Sequence, residues 1–331
     1  MIDLAANARE LFALGKGILA ADESVHSAEA RLAEYGIKGG EEMRREDRAL
    51  FLNTPGVEQF LSGVILFSET FDERGDDGKW FPQSLAARGI NPGIKVDEGL
   101  DPFPESPKET ITKGLLGLPD RFKEFKDKGA TFAKWRAAFT IDGDKLPTAQ
   151  AIHENAKRLA KYAREAQEYG IVPIVEPEVL LSGKHSRLRS KEVLTQVLTT
   201  LFSVCEEQAV DYSGLILKTA MAISGNKSGK TDTPEEVAES TVDTLLATVP
   251  KNVAGIVFLS GGQTPDQATE NLAAIVRRAR SASAPWPITF SYARALQEEA
   301  LTLWKGEAAN VEAARAAFLA RLTKVAGAVH I

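Results

Sequence analysis

The sequence predicts an α/β chain folded as one closed (β/α)8 barrel (a TIM barrel) over residues 1–331. Three observations lead there. Eight short apolar runs recur along the chain, each separated from the next by a segment long enough for a crossover helix. Seven of these runs close on charged or hydroxyl side chains, the pattern expected where a barrel gathers its chemistry at the C-terminal ends of its strands. No G-x-G-x-x-G follows any run, which weakens the open, dinucleotide-binding alternative.

The elements follow in order. An amphipathic helix is read over Leu4–Leu14, stopped by Gly15 and Gly17, and Ile18–Asp22 is the first run. Helical patterns lie near Ser27–Tyr35 and Glu41–Leu52. The second run, Gly63–Glu69, opens into a polar loop at 72–78 and a helix near Pro82–Arg88. The third, Gly93–Asp97, leads into a Pro-rich loop reaching Pro107. A helix near Arg121–Lys128 precedes the fourth run, Thr131–Ala138. The long helix Thr148–Tyr169 ends at Gly170, immediately before the fifth run, Ile171–Glu178. A helix over Ser190–Gln208 leads to the sixth run, where Leu215, Ile216 and Leu217 read as a strand buried on both faces and Lys218 as its end. Pro234, just after Thr233, suits the first turn of a helix running to about Val249. Gly255–Gly262 is the seventh run, with its helix at Thr264–Arg280. Ile288–Arg294 is the eighth, followed by helices near Ala295–Trp304 and Val311–Val325. No linker divides the chain.

Composition narrows the function classes. A net charge of −6 gives no global attraction to nucleic acid or to an anionic membrane. One cysteine, Cys205, forbids an internal disulfide and fits a reducing cytosol. No apolar run approaches the roughly 18 residues of a membrane helix, and the start of the chain lacks the apolar core of a signal peptide. The expectation is a cytoplasmic protein with neither nucleic-acid nor membrane partners; a homo-oligomer is allowed but not specified. The four histidines, His26, His153, His185 and His330, are scattered, so no metal is expected.

The strand ends form a set: Asp22, Lys95 with Asp97, Lys134 with Arg136, Glu176 with Glu178, Lys218, Ser260 and Arg294. Alternation along a strand puts Lys134 and Arg136 on one face, and likewise Glu176 and Glu178. Any one of these is explained equally well as a solvated strand end; together, they crowd one barrel mouth at a cost that a ligand must offset. Lys218 could merely reach solvent past its strand. Beside Lys134, however, its charged form is disfavoured, which suits an amine that attacks a carbonyl to form a Schiff base. Glu176 and Asp22 supply carboxylates for proton transfer. Ser260-Gly261-Gly262 before a helix, with Arg294 after the eighth run, offers backbone N–H groups and a guanidinium to a phosphate.

One look-alike is set aside. Ser224–Thr231 resembles a nucleotide-binding Gly-rich loop, but its first glycine is one place late for G-x-x-x-x-G-K-[ST].

Eight segments in order resemble the class I, Schiff-base-forming fructose-1,6-bisphosphate aldolases and cover nearly the whole chain. They are Gly17–Ser24, Gly63–Phe67, Gly93–Asp97, Phe132–Arg136, Ile171–Glu178, Leu217-Lys218, Phe258–Gln263 and Phe290–Gln297. The resemblance implies a (β/α)8 barrel, no metal or other cofactor, and sugar phosphates as small-molecule partners. It implies Lys218 as the Schiff-base lysine, Glu176 as general acid/base, and Asp22, Lys134 and Glu178 around them. Lys95 and Arg136 are implied as substrate contacts, and Ser260, Gly261, Gly262, Ser291 and Arg294 as the C1-phosphate pocket. Ser27 and Arg31 are implied at the C6 phosphate. Thr219-Ala220 stands where the family has Pro-Asn, and Ala293 and His26 stand where it has glycine. The family's tail with a catalytic tyrosine is expected to be missing, since the chain has no tyrosine after Tyr292. Two rivals remain: another Schiff-base barrel enzyme, such as a transaldolase or keto-acid aldolase, and a non-catalytic barrel scaffold.

Overall fold

The structure, a computed structural model, describes residues 3–330. All eight apolar runs are strands of one closed parallel barrel. In chain order the strands are β1 (Gly17–Ala21), β2 (Leu61–Leu66), β3 (Asn91–Lys95), β4 (Leu100–Phe103), β5 (Ser106–Thr112) and β6 (Phe132–Phe139). They continue with β7 (Val172–Val179), β8 (Ile216–Thr219), β9 (Gly255–Phe258) and β10 (Ile288–Tyr292). Leaving out β4 and β5, neighbours in sequence pair in parallel around the ring, and β10 closes on β1 with Ile18 beside Ser291.

The helices begin where their capping residues dictate. The N-terminal ones are α1 (Leu4–Glu10), α2 (Val25–Glu34), α3 (Glu41–Leu52), α4 (Ser68–Phe71), α5 (Phe81–Ala87) and α6 (Leu118–Asp127). The crossovers α7 (Ala149–Glu168), α8 (Arg187–Glu207), α9 (Pro234–Thr248) and α10 (Pro265–Ser281) follow, then α11 (Arg294–Trp304) and α12 (Val311–Val329). Ser24, Thr148, Ser186 and Thr264 each accept a hydrogen bond from a first-turn amide with the side-chain oxygen. Thr233 and Glu236 form a reciprocal capping box at α9. The apolar faces of these helices and the outward side chains of the strands form the larger core.

A smaller core fills the barrel interior, with Ile18, Ala20, Ile65, Phe132, Ile174, Ile216 and Val257, and Ala8 and Leu11 close its lower end. The Phe132 ring lies where a side chain at position 93 would go: a Cβ there would sit 2.2 Å from it, so only glycine fits. With apolar groups filling the floor, the charged strand ends are left to the mouth.

One expectation is corrected. The Pro-rich stretch up to Pro107 is not a loop, because β4 and β5 form an antiparallel hairpin that packs beside β6 and α7. Its prolines, including Pro102 opposite Thr110, lack an N–H yet are tolerated, since both strands of a two-stranded sheet are edges. The opening helix also ends at Glu10 rather than Leu14.

Candidate active site

β8 carries Lys218 into the mouth, where the residue is only 3% exposed. Register explains its neighbours. Ile216 pairs with Ile174, so Lys218 and Glu176 stand two residues further along adjacent strands, and Arg136 pairs with Glu176 directly. Lys134 in turn pairs with Lys95 of β3.

The resulting chain of charges is continuous. Lys218 Nζ lies 3.1 Å from Glu176 Oε1, and Lys134 Nζ lies 3.2 Å from Glu176 Oε2. Lys134 Nζ also meets Asp22 Oδ2 at 2.6 Å. The two lysines are therefore bridged by a carboxylate rather than set directly against each other. Burial would push the Asp22 carboxyl up, but Lys134, then Lys218 and Lys95, together outweigh it and bring the pKa down to about 2. Burial would likewise lower Lys134, yet Asp22, Glu176 and Asp97 hold it well above the ordinary lysine range. In the ligand-free site Lys134 thus rests as a cation and Asp22 as an anion.

Towards the hairpin, Lys95 Nζ pairs with Asp97 Oδ1 at 2.6 Å and donates to the Asp97 carbonyl. Arg136 is ion-paired with Glu178; its guanidinium is lifted above its usual range because that carboxylate and Glu176 outweigh burial. Asp97 Oδ2 accepts from the Arg136 amide, tying β3 to β6.

The opposite rim differs in kind. After β9 the chain turns through Gly261 (φ 60°) and Gly262 (φ 91°), a backbone route suited to glycine, and reaches the N-cap Thr264 of α10. Among the described residues, neither glycine amide has an acceptor. The Ser291 hydroxyl is buried with no hydrogen-bond partner, and Arg294 is more than half exposed, 3.9 Å from Glu34. Ala293, which precedes it, has φ −104° and ψ −90°, outside the αR and extended regions that alanine favours.

These groups line one cavity of about 1010 Å³. Of the residues singled out from the sequence, the cavity gathers Asp22, Ser27, Lys95, Lys134, Arg136, Glu176, Glu178, Lys218, Ser260, Gly261, Gly262, Ser291 and Arg294. Arg31 is not among them: it is buried and ion-paired with Glu23. Sequence reasoning passed over Glu23, which lines the cavity, although it directly follows Asp22. The Ser224–Lys230 loop is no phosphate cradle. The amides of Gly225, Asn226 and Lys227 donate to carbonyls of His185, Leu181 and Gly183, and that of Ser224 to Asp232. Among the described residues no group of three or more His, Cys, Asp or Glu side chains could hold a metal ion.

The model of the family "Fructose-bisphosphate aldolase class-I" matches residues 3–330. The chain belongs to the class I fructose-bisphosphate aldolase family. It is 44% identical to the fructose-bisphosphate aldolase of Dictyostelium discoideum over 321 residues, covering 96% of this chain and 89% of that one. It is 44% identical to the cytosolic fructose-bisphosphate aldolase 4 of Arabidopsis thaliana over 319 residues, covering 96% and 80%. Among solved structures, the fructose-bisphosphate aldolase of Plasmodium falciparum, in complex with TRAP and a small-molecule inhibitor, superposes with a TM-score of 0.95 at 40% identity. That match covers 99% of this chain and 94% of the other.

Proposed function

We propose that the chain catalyses the reversible cleavage of fructose 1,6-bisphosphate to dihydroxyacetone phosphate and glyceraldehyde 3-phosphate through an imine on Lys218. The observation that carries this reading is the buried Lys218 amine 3.1 Å from Glu176, whose other oxygen faces Lys134. Glu176 Oε1 takes a proton from Lys218, and the free amine adds to the C2 carbonyl of the ketose. A proton moves from nitrogen to oxygen to give the carbinolamine. Glu176 then protonates that hydroxyl, and water leaves an iminium.

Asp22, held ionised, accepts the C4 hydroxyl proton. As it does so, the C4–O bond becomes a carbonyl and the C3–C4 electron pair moves into the iminium. The aldehyde departs, leaving an enamine. Water carries the proton taken by Asp22 back to C3 of the enamine, and hydrolysis at C2 then releases dihydroxyacetone phosphate and restores the Lys218 amine and the Asp22 carboxylate. Lys134 opposes the negative charge that builds on the carbinolamine oxygen. Glu178 orients Arg136, which with Lys95 contacts the sugar hydroxyls.

In the same reading Ser260, Gly261, Gly262, Ser291 and Arg294 receive the C1 phosphate, and Ser27 faces the C6 phosphate. No metal or other cofactor enters the chemistry, because the iminium is the electron sink. A cytosolic site of action is supported by the name of the cytosolic Arabidopsis relative. No helix among the described residues is long and apolar enough to cross a membrane.

A coupled assay tests the reaction. Fructose 1,6-bisphosphate should yield the two triose phosphates in equal amounts, at a rate unchanged by EDTA. No cleavage would refute the substrate, and activity lost to EDTA and restored by a divalent ion would refute the mechanism.

A further inference from the structure

Behind Asp22 lies a buried charge cluster that the proposed chemistry does not use. Glu23 follows Asp22 at the end of β1, and both its carboxylate oxygens are taken. Arg31 of α2 donates to Oε1, and Arg48 of α3 donates to Oε2 at 2.8 Å. Arg48 also donates through its second terminal nitrogen to the Glu23 carbonyl at 3.1 Å, so it grips backbone and side chain together. Both guanidiniums are buried, at 4% and 3% exposure. Among the described residues, Arg31 Nε and Nη2 are buried without partners, and its side-chain hydrogen bond goes to Glu23.

We propose that Arg48 and Arg31 are positioning residues for the reaction at Lys218, clamping Glu23 and thereby the strand-end loop that aims Asp22 at Lys134. The inference rests on the reading given above. It replaces a direct contact between Arg31 and the C6 phosphate with an indirect role, because Arg31 stays behind Glu23 and out of the cavity. The reason for two cations is electrostatic. Glu23 stands beside the ionised Asp22 and near the buried Asp47, and three neighbouring acids would repel one another without them. Arg48 faces Glu23, Asp47, Asp22 and Glu73, and Arg31 faces Glu23 and Asp47. Asp22 faces Lys134, Lys218 and Lys95 on its other side. Arg48 therefore links an outer helix to the backbone of Glu23, next to the proton-transfer residue Asp22.

The test is steady-state kinetics of Arg48→Met, Arg48→Lys and Arg31→Met on fructose 1,6-bisphosphate and fructose 1-phosphate, beside the wild type. Wild-type cleavage of the bisphosphate comes first, and its absence would overturn the proposed function rather than this inference. A misplacement of about 1 Å commonly costs on the order of a hundredfold in rate. Arg48→Met should accordingly lower kcat roughly 10- to 100-fold on both substrates, with KM changed less than about threefold. Arg48→Lys keeps the charge but loses the double grip and should recover only part of that rate. Arg31→Met should lower kcat on both substrates alike. A loss confined to the bisphosphate and expressed in KM would mean that Arg31 touches the phosphate, and it would overturn the proposal. So would unchanged kcat in folded Arg48→Met. If Arg48→Met fails to fold, Glu23→Gln, which keeps the shape but weakens the clamp, must show the same fall in kcat on both substrates; unchanged kcat in it overturns the proposal.

Discussion

Two sides of the same mouth are built on opposite principles. Around Lys218 every charge has a partner within the protein: Asp22 with Lys134, Glu176 with both lysines, Lys95 with Asp97, Arg136 with Glu178. On the rim after β9 and β10, the Gly261 and Gly262 amides and the Ser291 hydroxyl have no partner among the described residues, and the exposed Arg294 has only a loose, solvated contact with Glu34 at 3.9 Å. The paired side suits a reaction whose charges move within a fixed frame, since preorganised groups need not reorient as the barrier is crossed. The free side suits an anion that arrives and leaves. The difference predicts that substitutions in the paired region disturb both rate and stability, whereas those on the rim disturb binding alone.

The largest effect should come from Lys134→Met, which leaves Asp22 and half of Glu176 buried without their cation. A loss of kcat of roughly 10²–10⁴-fold is expected, with a fall in unfolding free energy of about 3–5 kcal/mol. Stability preserved in this variant would break the comparison. On the rim, Arg294→Ala removes a charge-assisted phosphate contact of about 1.5–3 kcal/mol, so KM should rise roughly 10- to 100-fold. Ser291→Ala removes a neutral one and should raise KM about fivefold. Urea unfolding should place both rim variants within about 0.5 kcal/mol of the wild type, and a larger loss would mean that the rim is structural.

Acid titration of stability gives a finer test. The Asp22 carboxyl sits at about 2 in the folded chain against 3.8 unfolded, so its stabilising charge is fully present above the unfolded value. That contribution, about 2 kcal/mol, is lost as pH falls through the folded value. The deficit of Asp22→Asn relative to wild type should stay level from pH 8 to 5 and shrink below about pH 4. A deficit independent of pH would show that the Asp22 charge is not what the pairing stabilises.

The fold was legible because each barrel strand is an apolar run that ends abruptly. Lys218 and Glu176 stand out in sequence for that reason, with Leu215–Leu217 and Ile174-Val175 before them. The hairpin was not legible, because Pro102, Pro104 and Pro107 argue against strands wherever an N–H must be donated, and a two-stranded edge sheet escapes that rule. The free rim was readable from its glycines and serines, which are local features. The clamp on Glu23 was not, since Arg31, Arg48 and Glu23 meet only once α2 and α3 pack beside β1. Arg31, implied at the C6 phosphate by the resemblance, is ion-paired with Glu23 and lies outside the cavity, and that pairing depends on how α2 packs against β1 rather than on local sequence.

The central claim is covalent chemistry at one paired lysine. Borohydride reduction in the presence of dihydroxyacetone phosphate, followed by peptide mass spectrometry, tests it most directly. The account predicts one stable adduct, located on Lys218, and none in Lys218→Arg. An adduct on Lys134 or Lys95, or no trapping by a protein that still cleaves the bisphosphate, would contradict it.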